Sequence, residues 1–220
     1  MIKNKLIQNI QKTLSKGDVA ITQPAGCPDI SLYLFNPDVL EGPLSHDEAQ
    51  AVVAEPAYWS FCWASGQALA RYILNNPELV VGKRVLDFGA GSAIVAIAAV
   101  KAGAKSAIAC DIDPDALDAA YANAALNDVT IEVSDDLDKS LGDVDVIVAA
   151  DVLYDPENMP FLTRFKQASS LIILADSRVK NLGDDDYALQ DVITCRTWPD
   201  LHEFEEFNQV RIYHAKGERV

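Results

Sequence analysis

Asp87 stands two residues ahead of a glycine turn, in the run Val85-Leu86-Asp87-Phe88-Gly89-Ala90-Gly91-Ser92. The apolar residues before it read as a buried strand, and Ile94 to Ala102 reads as the helix that follows. Glycines at such a turn let a ligand approach the backbone closely, and the helix N-terminus offers N–H groups to a negatively charged ligand group. The acid narrows the choice of ligand. A dinucleotide would place its pyrophosphate at this turn, where the Asp87 carboxylate opposes it. The third glycine of the dinucleotide fingerprint is replaced by Ile94, and no Lys or Arg occurs from Phe88 to Val100. A P-loop is excluded more firmly, because no Gly-Lys-Ser/Thr follows the turn.

The ligand that fits pairs a cationic group for the acid with a carboxylate for the turn. S-adenosylmethionine has an ammonium, a sulfonium and a carboxylate. Further acids recur at matching intervals. Asp111 lies 24 residues after Asp87, in Asp111-Ile112-Asp113-Pro114, where a carboxylate accepts both hydroxyls of a ribose. Asp113 before Pro114 reads as a helix N-cap, so the ligand role falls to Asp111. Asp135 lies another 24 residues on and is placed to accept the adenine amino group. Asp136 is its neighbouring candidate, and a solvated acidic loop explains the pair equally well. The run Ala150-Asp151-Val152-Leu153-Tyr154 follows a fourth strand, with Asp151 and Tyr154 in reach of an incoming amine; a capped turn before the next helix is the alternative. Trp59 and Trp63 sit one helical turn apart on a face shared with Gln67, a spacing that suits core and cofactor contact alike. None of the three histidines has a partner at catalytic spacing.

These residues need a frame that brings strand ends together. From Lys83 onward, short apolar runs at Arg84–Phe88, Ser106–Cys110, Thr130–Val133, Val144–Ala149 and Leu171–Ala175 alternate with helical patterns at Ile94–Ala102, Pro114–Leu126 and Met159–Gln167. The gap between Val133 and Val144 is short and acidic for a helix. The alternation predicts an α/β fold with a doubly wound, mostly parallel sheet covered on both faces. Asp191–Trp198 and Gln209–His214 read as an antiparallel edge. Ahead of this core, Ile2 to Leu14 reads as an amphipathic helix, with Lys3, Lys5 and Lys12 on its wet side, and Ile30–Phe35 as a strand. Residues 41 to 56 form a polar, Pro-bounded segment suited to a mobile loop over the site. Tyr58 to Leu74 is aromatic at first and helical afterwards.

Length and composition set the limits. The 220 residues, half of them hydrophobic, suit a single domain over 1–220: an N-terminal extension with a helix entry (1–78) and a cofactor-binding core (79–220). Cys27, Cys62, Cys110 and Cys195 are scattered without CxxC or Cys/His pairing, which predicts buried free thiols and no metal. No secretory signal or membrane-spanning segment is apparent, so a cytoplasmic location is expected. With 18 basic against 33 acidic residues, the net charge of -15 disfavours nucleic acid and favours a basic protein segment as substrate.

The segment from about Pro56 to Pro156 resembles the class I, seven-stranded methyltransferases, and within them the protein lysine methyltransferases of family 16. The carrying motifs are Tyr58-Trp59-Ser60-Phe61-Cys62-Trp63 with Gly66-Gln67-Ala68-Leu69, then Leu86 to Ser92, then Asp111 to Pro114, and Asp151 to Tyr154. The glycine turn identifies only the superfamily, whereas the Asp-x-x-Tyr run with the tryptophan-bearing entry is more specific. The resemblance implies the Rossmann-like methyltransferase fold and S-adenosyl-L-methionine contacts from Trp63, Asp87, Gly89, Gly91, Asp111, Asp135 and the Ala150 backbone. It assigns substrate positioning to Asp151 and Tyr154. It also implies a protein substrate with an exposed lysine, electron transfer flavoprotein beta subunit first and ribosomal proteins next. Ser92-Ala93 stands where family members often carry a third glycine, which narrows the pocket. Methylation of a small-molecule amine or a protein amide, and a catalytically silent cofactor-binding adapter, remain open alternatives.

Overall fold

The computed structural model describes residues 2–40, 42 and 44–219. Helix α1 (Ile2–Ile10) buries Leu6 and Ile10. It ends before Leu14, which reaches the same apolar cluster from the turn beyond. Lys3, Lys5 and Lys12 form ion pairs with Asp18, Asp118 and Asp115. Strands β1 (Val19–Thr22) and β2 (Leu32–Phe35) pair antiparallel as a small separate sheet.

Helix α2 (His46–Ala54) occupies the segment expected to be a loop. Its start is fixed by a capping box between Ser45 and Glu48, and the Ser15 hydroxyl also donates to Glu48. Glu41, the first residue of that segment, lies outside the described residues. A short 3-10 turn (Tyr58–Ser60) then leads into α3 (Ala64–Asn75). Trp63 is the N-cap of α3 and Trp59 belongs to the turn, so the two tryptophans do not share one helical face with Gln67.

The core alternates as the apolar runs predict: β3 (Arg84–Phe88), α4 (Ile94–Lys101), β4 (Ser106–Cys110), α5 (Pro114–Leu126), β5 (Glu132–Ser134), the single-turn α6 (Leu137–Ser140), β6 (Val146–Ala150), α7 (Phe161–Ala168) and β7 (Leu171–Asp176). Helix α6 forms in the short acidic gap because the Asp136 side chain accepts from the Lys139 N–H and caps it. Strands β8 (Ala188–Thr194) and β9 (Gln209–Lys216) follow, and the seven strands lie in the order β5-β4-β3-β6-β7-β9-β8. The first five run parallel, whereas β9 is antiparallel to both β7 and β8.

Alternate residues of each inner strand point to opposite faces. Val85, Ala107, Val146 and Ile173 pack toward α3 and α4 in one cluster, while Leu86, Ile108, Ile147 and Ile172 pack toward α7 in another. The N-terminal segment is tied to this core through α5. The buried Asn123 side chain accepts from the Tyr33 N–H at 2.7 Å and donates to the Ser92 carbonyl at 3.0 Å, linking β2 to the glycine turn. All four cysteines are free and buried, and burial pushes the Cys27 thiol up to about 12. Among the described residues, no helix is long and apolar enough to cross a membrane.

Candidate active site

Strand order reverses direction between β3 and β6, and open parallel sheets bind ligands at the carboxyl ends of the strands flanking such a point. Registers Phe88 to Cys110, Phe88 to Ala149 and Ala150 to Ala175 bring the tips of β3, β4, β6 and β7 level. Asp87, Asp111 and Asp151 are therefore neighbours in space although 64 residues of sequence separate the first from the last.

The glycine turn is held in an unusual backbone course. Gly89, Gly91 and Ala93 all have left-handed φ values, 66°, 50° and 59°. A side chain at Gly89 would also press on Val152, whose Cγ1 lies 2.7 Å from the Cβ position. Gly89 is exposed and Gly91 half-buried, so the turn presents its backbone to the crevice. Ala93 occupies the place of the missing third glycine in the conformation that glycine favours. Its side chain is fully buried on the core side and leaves the crevice clear.

Asp87 is 2% exposed, and its carboxylate accepts from the Ala96 N–H in the first turn of α4 at 2.9 Å. Burial drives its pKa well above the usual carboxylate range, with the charge of Asp111 adding to the rise. Asp111 accepts from Gly91 N–H at 2.9 Å and from Asp113 N–H at 3.0 Å, so it braces the turn from the β4 side. Asp113 caps α5 by accepting from Asp115 N–H at 2.8 Å, in the role expected of it. The Gly89 and Ala90 amides donate to the Cys110 carbonyl, and the Ala93 amide to Ala90. An anionic ligand group at this turn must share or replace such bonds. Asp135 is exposed beyond β5, whereas Asp136 is committed to capping α6 and pairing with Lys139.

On the β6 side, Asp151 has φ 51° and both carboxylate oxygens are occupied. Oδ1 accepts from the hydroxyls of Ser65 (2.6 Å) and Ser177 (2.8 Å) and from Ser177 N–H (3.2 Å), and Oδ2 accepts from Ser65 N–H (3.1 Å). Asp151 thus clamps the start of α3 and the end of β7 around the crevice. Tyr154 is 57% exposed, and its ring lies 5.9 Å from that of Tyr58. Tyr58 in turn meets Trp63 at 5.8 Å, while Trp63 donates its indole N–H to the Tyr58 carbonyl at 3.0 Å. Trp59 is 1% exposed and packs its side chain in the core with α1 and α5, while its Cα lies 3.9 Å from the Cβ position of Gly91; Trp63 is half-buried.

Several of these residues escape sequence reasoning. Ser65 and Ser177 carry no local signal, being 86 and 26 residues from the carboxylate they hold. Asp176 does carry one, since it is another acid closing an apolar strand. It is 1% exposed; its Oδ1 accepts from the Arg178 and Val179 amides while its buried Oδ2 has no partner, and burial pushes its pKa up to about 6. Two concave regions lie elsewhere, one beside Met159 and Asp184 and one beside Arg84 and Lys139, and neither touches the glycine turn. Among the described residues no group of three or more His, Cys, Asp or Glu is arranged to hold a metal ion.

Comparison with known proteins bears on the fold that carries these residues. A sequence model of the ribosomal protein L11 methyltransferase family (PrmA) matches residues 67–162. The chain has the seven-stranded methyltransferase fold. The electron transfer flavoprotein beta subunit lysine methyltransferase of Danio rerio is 38% identical over 160 residues, 70% of this chain and 57% of that protein. Its homolog in Caenorhabditis elegans is 28% identical over 98% of this chain and 82% of its own length. Magnesium protoporphyrin IX methyltransferase from Synechocystis, solved with bound S-adenosylmethionine, superposes with a TM-score of 0.52 at 17% identity, covering 81% of this chain and 87% of that one. The match to the Danio rerio protein spans little more than half of that relative's length. The glycine turn, Asp111 and the Asp151 to Tyr154 run of this methyltransferase fold all lie inside the region that the family model covers.

Proposed function

We propose that the chain is an S-adenosylmethionine-dependent protein lysine N-methyltransferase, read as one unit over 1–220. The observation that carries this is the convergence of Asp87 and Asp111 on a left-handed glycine turn with no basic side chain from Phe88 to Val100. Such a site repels a phosphorylated nucleotide and suits a cationic adenosine sulfonium. The sequence similarity to lysine methyltransferases supports lysine as the acceptor.

In this reading Asp111 holds the ribose hydroxyls, Asp135 the adenine amino group, and the Gly89, Gly91 and Ala150 backbones border the cofactor beside Trp63. Asp87 lies beneath the turn and fixes the start of α4 through the Ala96 amide, while Asp111 supplies the negative potential. When bound, the cofactor supplies an electrophilic methyl group. The chain aligns the amine with it, and that alignment is worth several kcal/mol of the barrier. Only the free amine attacks, and lysine has a reference pKa of about 10.4, so the site must let a proton go to water. A free carboxylate beside the ammonium would oppose that loss. The four internal bonds of Asp151 make it a positioning residue: it sets the Val152 to Tyr154 turn, and Tyr154 directs the amine.

The net charge of -15 supports a basic protein segment over nucleic acid, with electron transfer flavoprotein beta subunit and ribosomal proteins as first candidates and the cytoplasm as the place of action. The test is incubation with labelled S-adenosylmethionine and a cell extract, followed by mass spectrometry of the labelled species. Label on a protein lysine is expected. Label on a metabolite or an amide overturns the substrate class, and absence of calorimetric binding of S-adenosylhomocysteine overturns the cofactor.

A further inference from the structure

Tyr58 has no part in the reading above, yet it is the centre of an aromatic group at the crevice mouth. Its ring is inclined 53° to Tyr154 and 61° to Trp63, with centroid separations of 5.9 and 5.8 Å. Rings inclined in this way make a corner rather than a stack. Tyr58 is 47% exposed and Tyr154 57% exposed, so both rings keep open surface. The corner is held from behind, because the Trp63 indole N–H fixes the Tyr58 carbonyl and the next residue, Trp59, is buried in the core.

The chemistry of this corner is that of a cation site. Ring faces carry negative potential and attract ammonium groups whether or not those groups retain N–H donors. Burial raises the pKa of the Tyr154 hydroxyl, and the neighbouring Tyr58, then Asp155 and Asp111, add to the rise, so the ring stays neutral while the surroundings are acidic. Asp151, the other candidate for receiving a cation, is occupied by four donors from Ser65 and Ser177.

We propose that Tyr58 and Tyr154 form an aromatic corner that receives the substrate's lysine ammonium and its methylated products, with Tyr58 as a specificity-determining residue. The proposal rests on the lysine methyl-transfer reading and deepens it. In each transfer the amine lone pair forms a bond to the methyl carbon, the carbon–sulfur bond breaks, and its electron pair stays on sulfur as the thioether. The methylammonium product then loses a proton to water before another round. A carboxylate pocket loses a hydrogen bond with every N–H replaced by methyl, whereas an aromatic corner keeps its cation attraction and adds apolar contact. The corner therefore retains mono- and dimethyllysine and favours repeated methylation.

The test uses the full chain saturated with S-adenosylhomocysteine, titrated with Nε-trimethyllysine amide and with uncharged norleucine amide, and read by NMR shifts of the aromatic rings. Wild type is expected to bind the cation about fivefold or more tighter than norleucine amide, a preference of about 1 kcal/mol. Tyr58→Phe keeps that preference and Tyr58→Leu abolishes it, with cofactor-product affinity unchanged in both. On a methylated protein, Tyr58→Leu shifts the products toward monomethyllysine. Equal binding of the two amides by wild type, or a Tyr58→Leu variant that still prefers the cation, overturns the corner. Failure of the methyl-transfer reading shows separately, as absence of S-adenosylhomocysteine binding by the wild-type chain.

Discussion

The two sides of the crevice solve the same problem differently. At the tips of β3 and β4, Asp111 is bonded to the backbone of the glycine turn and Asp87 to the first turn of α4 that follows it, so the proposed cofactor side is built largely from neighbouring sequence. At the tips of β6 and β7, Asp151 is held by Ser65 and Ser177, and in the α3 start it grips the Ala64 amide donates to the hydroxyl oxygen of Thr197, 133 residues away. The proposed cofactor side is a local device and the proposed substrate side a long-range assembly. A local device tolerates change elsewhere in the chain, while an assembly of distant parts is sensitive to each of its members.

That contrast is open to direct attack. The largest effect is expected at Gly89→Ala, where a Cβ meets Val152 Cγ1 at 2.7 Å and a non-glycine residue must adopt φ 66°. Destabilisation of about 3 kcal/mol is expected in urea denaturation, together with loss of calorimetric S-adenosylhomocysteine binding. A variant of wild-type stability and affinity would show that the turn is not the rigid element. Next comes the double variant Ser65→Ala with Ser177→Ala, which removes both hydroxyls from Asp151. It is expected to cost about 2 kcal/mol and to lower kcat at least tenfold while cofactor affinity stays within twofold. An equal loss of cofactor affinity would erase the distinction between the two sides.

The smallest effect tests Asp176. Its folded-state pKa, raised to about 6 by burial, means that the protonated form fits the fold, so its contribution is fully present below its unfolded value near 4 and is lost as pH rises through 6. Two pKa units correspond to at most about 3 kcal/mol, and relaxation of the buried site brings the expected effect nearer 1. Asp176→Asn, which keeps the Oδ1 acceptor for Arg178 and Val179, is expected to match wild type at pH 4 and exceed its stability by about 1 kcal/mol at pH 7.5, measured by urea titration. A variant less stable than wild type at pH 7.5 would show that the charged form is the one the fold uses.

The same division explains what was legible in the sequence. Strands β3 and β4 and helix α5 have the bounds their residues predict, because apolar strands, glycine turns and the Asp113-Pro114 cap are local signals. The Ser45-x-x-Glu48 capping box is equally local, yet α2 forms where the polar character of the segment suggested a loop. Strand β8 begins at Ala188 rather than Asp191 because an exposed sheet edge needs no apolar alternation. The grouping of Trp59, Trp63 and Gln67 on one face fails for a different reason. Helix α3 starts only after Trp63, and Gln67 is buried where it accepts from Gly26 N–H and donates to the Arg196 carbonyl. Those partners, like Ser65 and Ser177, are fixed by tertiary packing, which spacing along a chain does not encode.

Strand β9 is the last described strand in the chain but lies inside the sheet, paired to β7 from Leu171 through Asp176. During synthesis, the apolar run Leu171-Ile172-Ile173-Leu174 therefore emerges some thirty-five residues before the partner that shields its edge. Until then, β7 offers unpaired backbone groups to any neighbouring nascent chain. The ribosome must deliver residues 209–216 before the β7 edge is shielded, so a truncation that removes β9 alone leaves an otherwise complete sheet open to self-association.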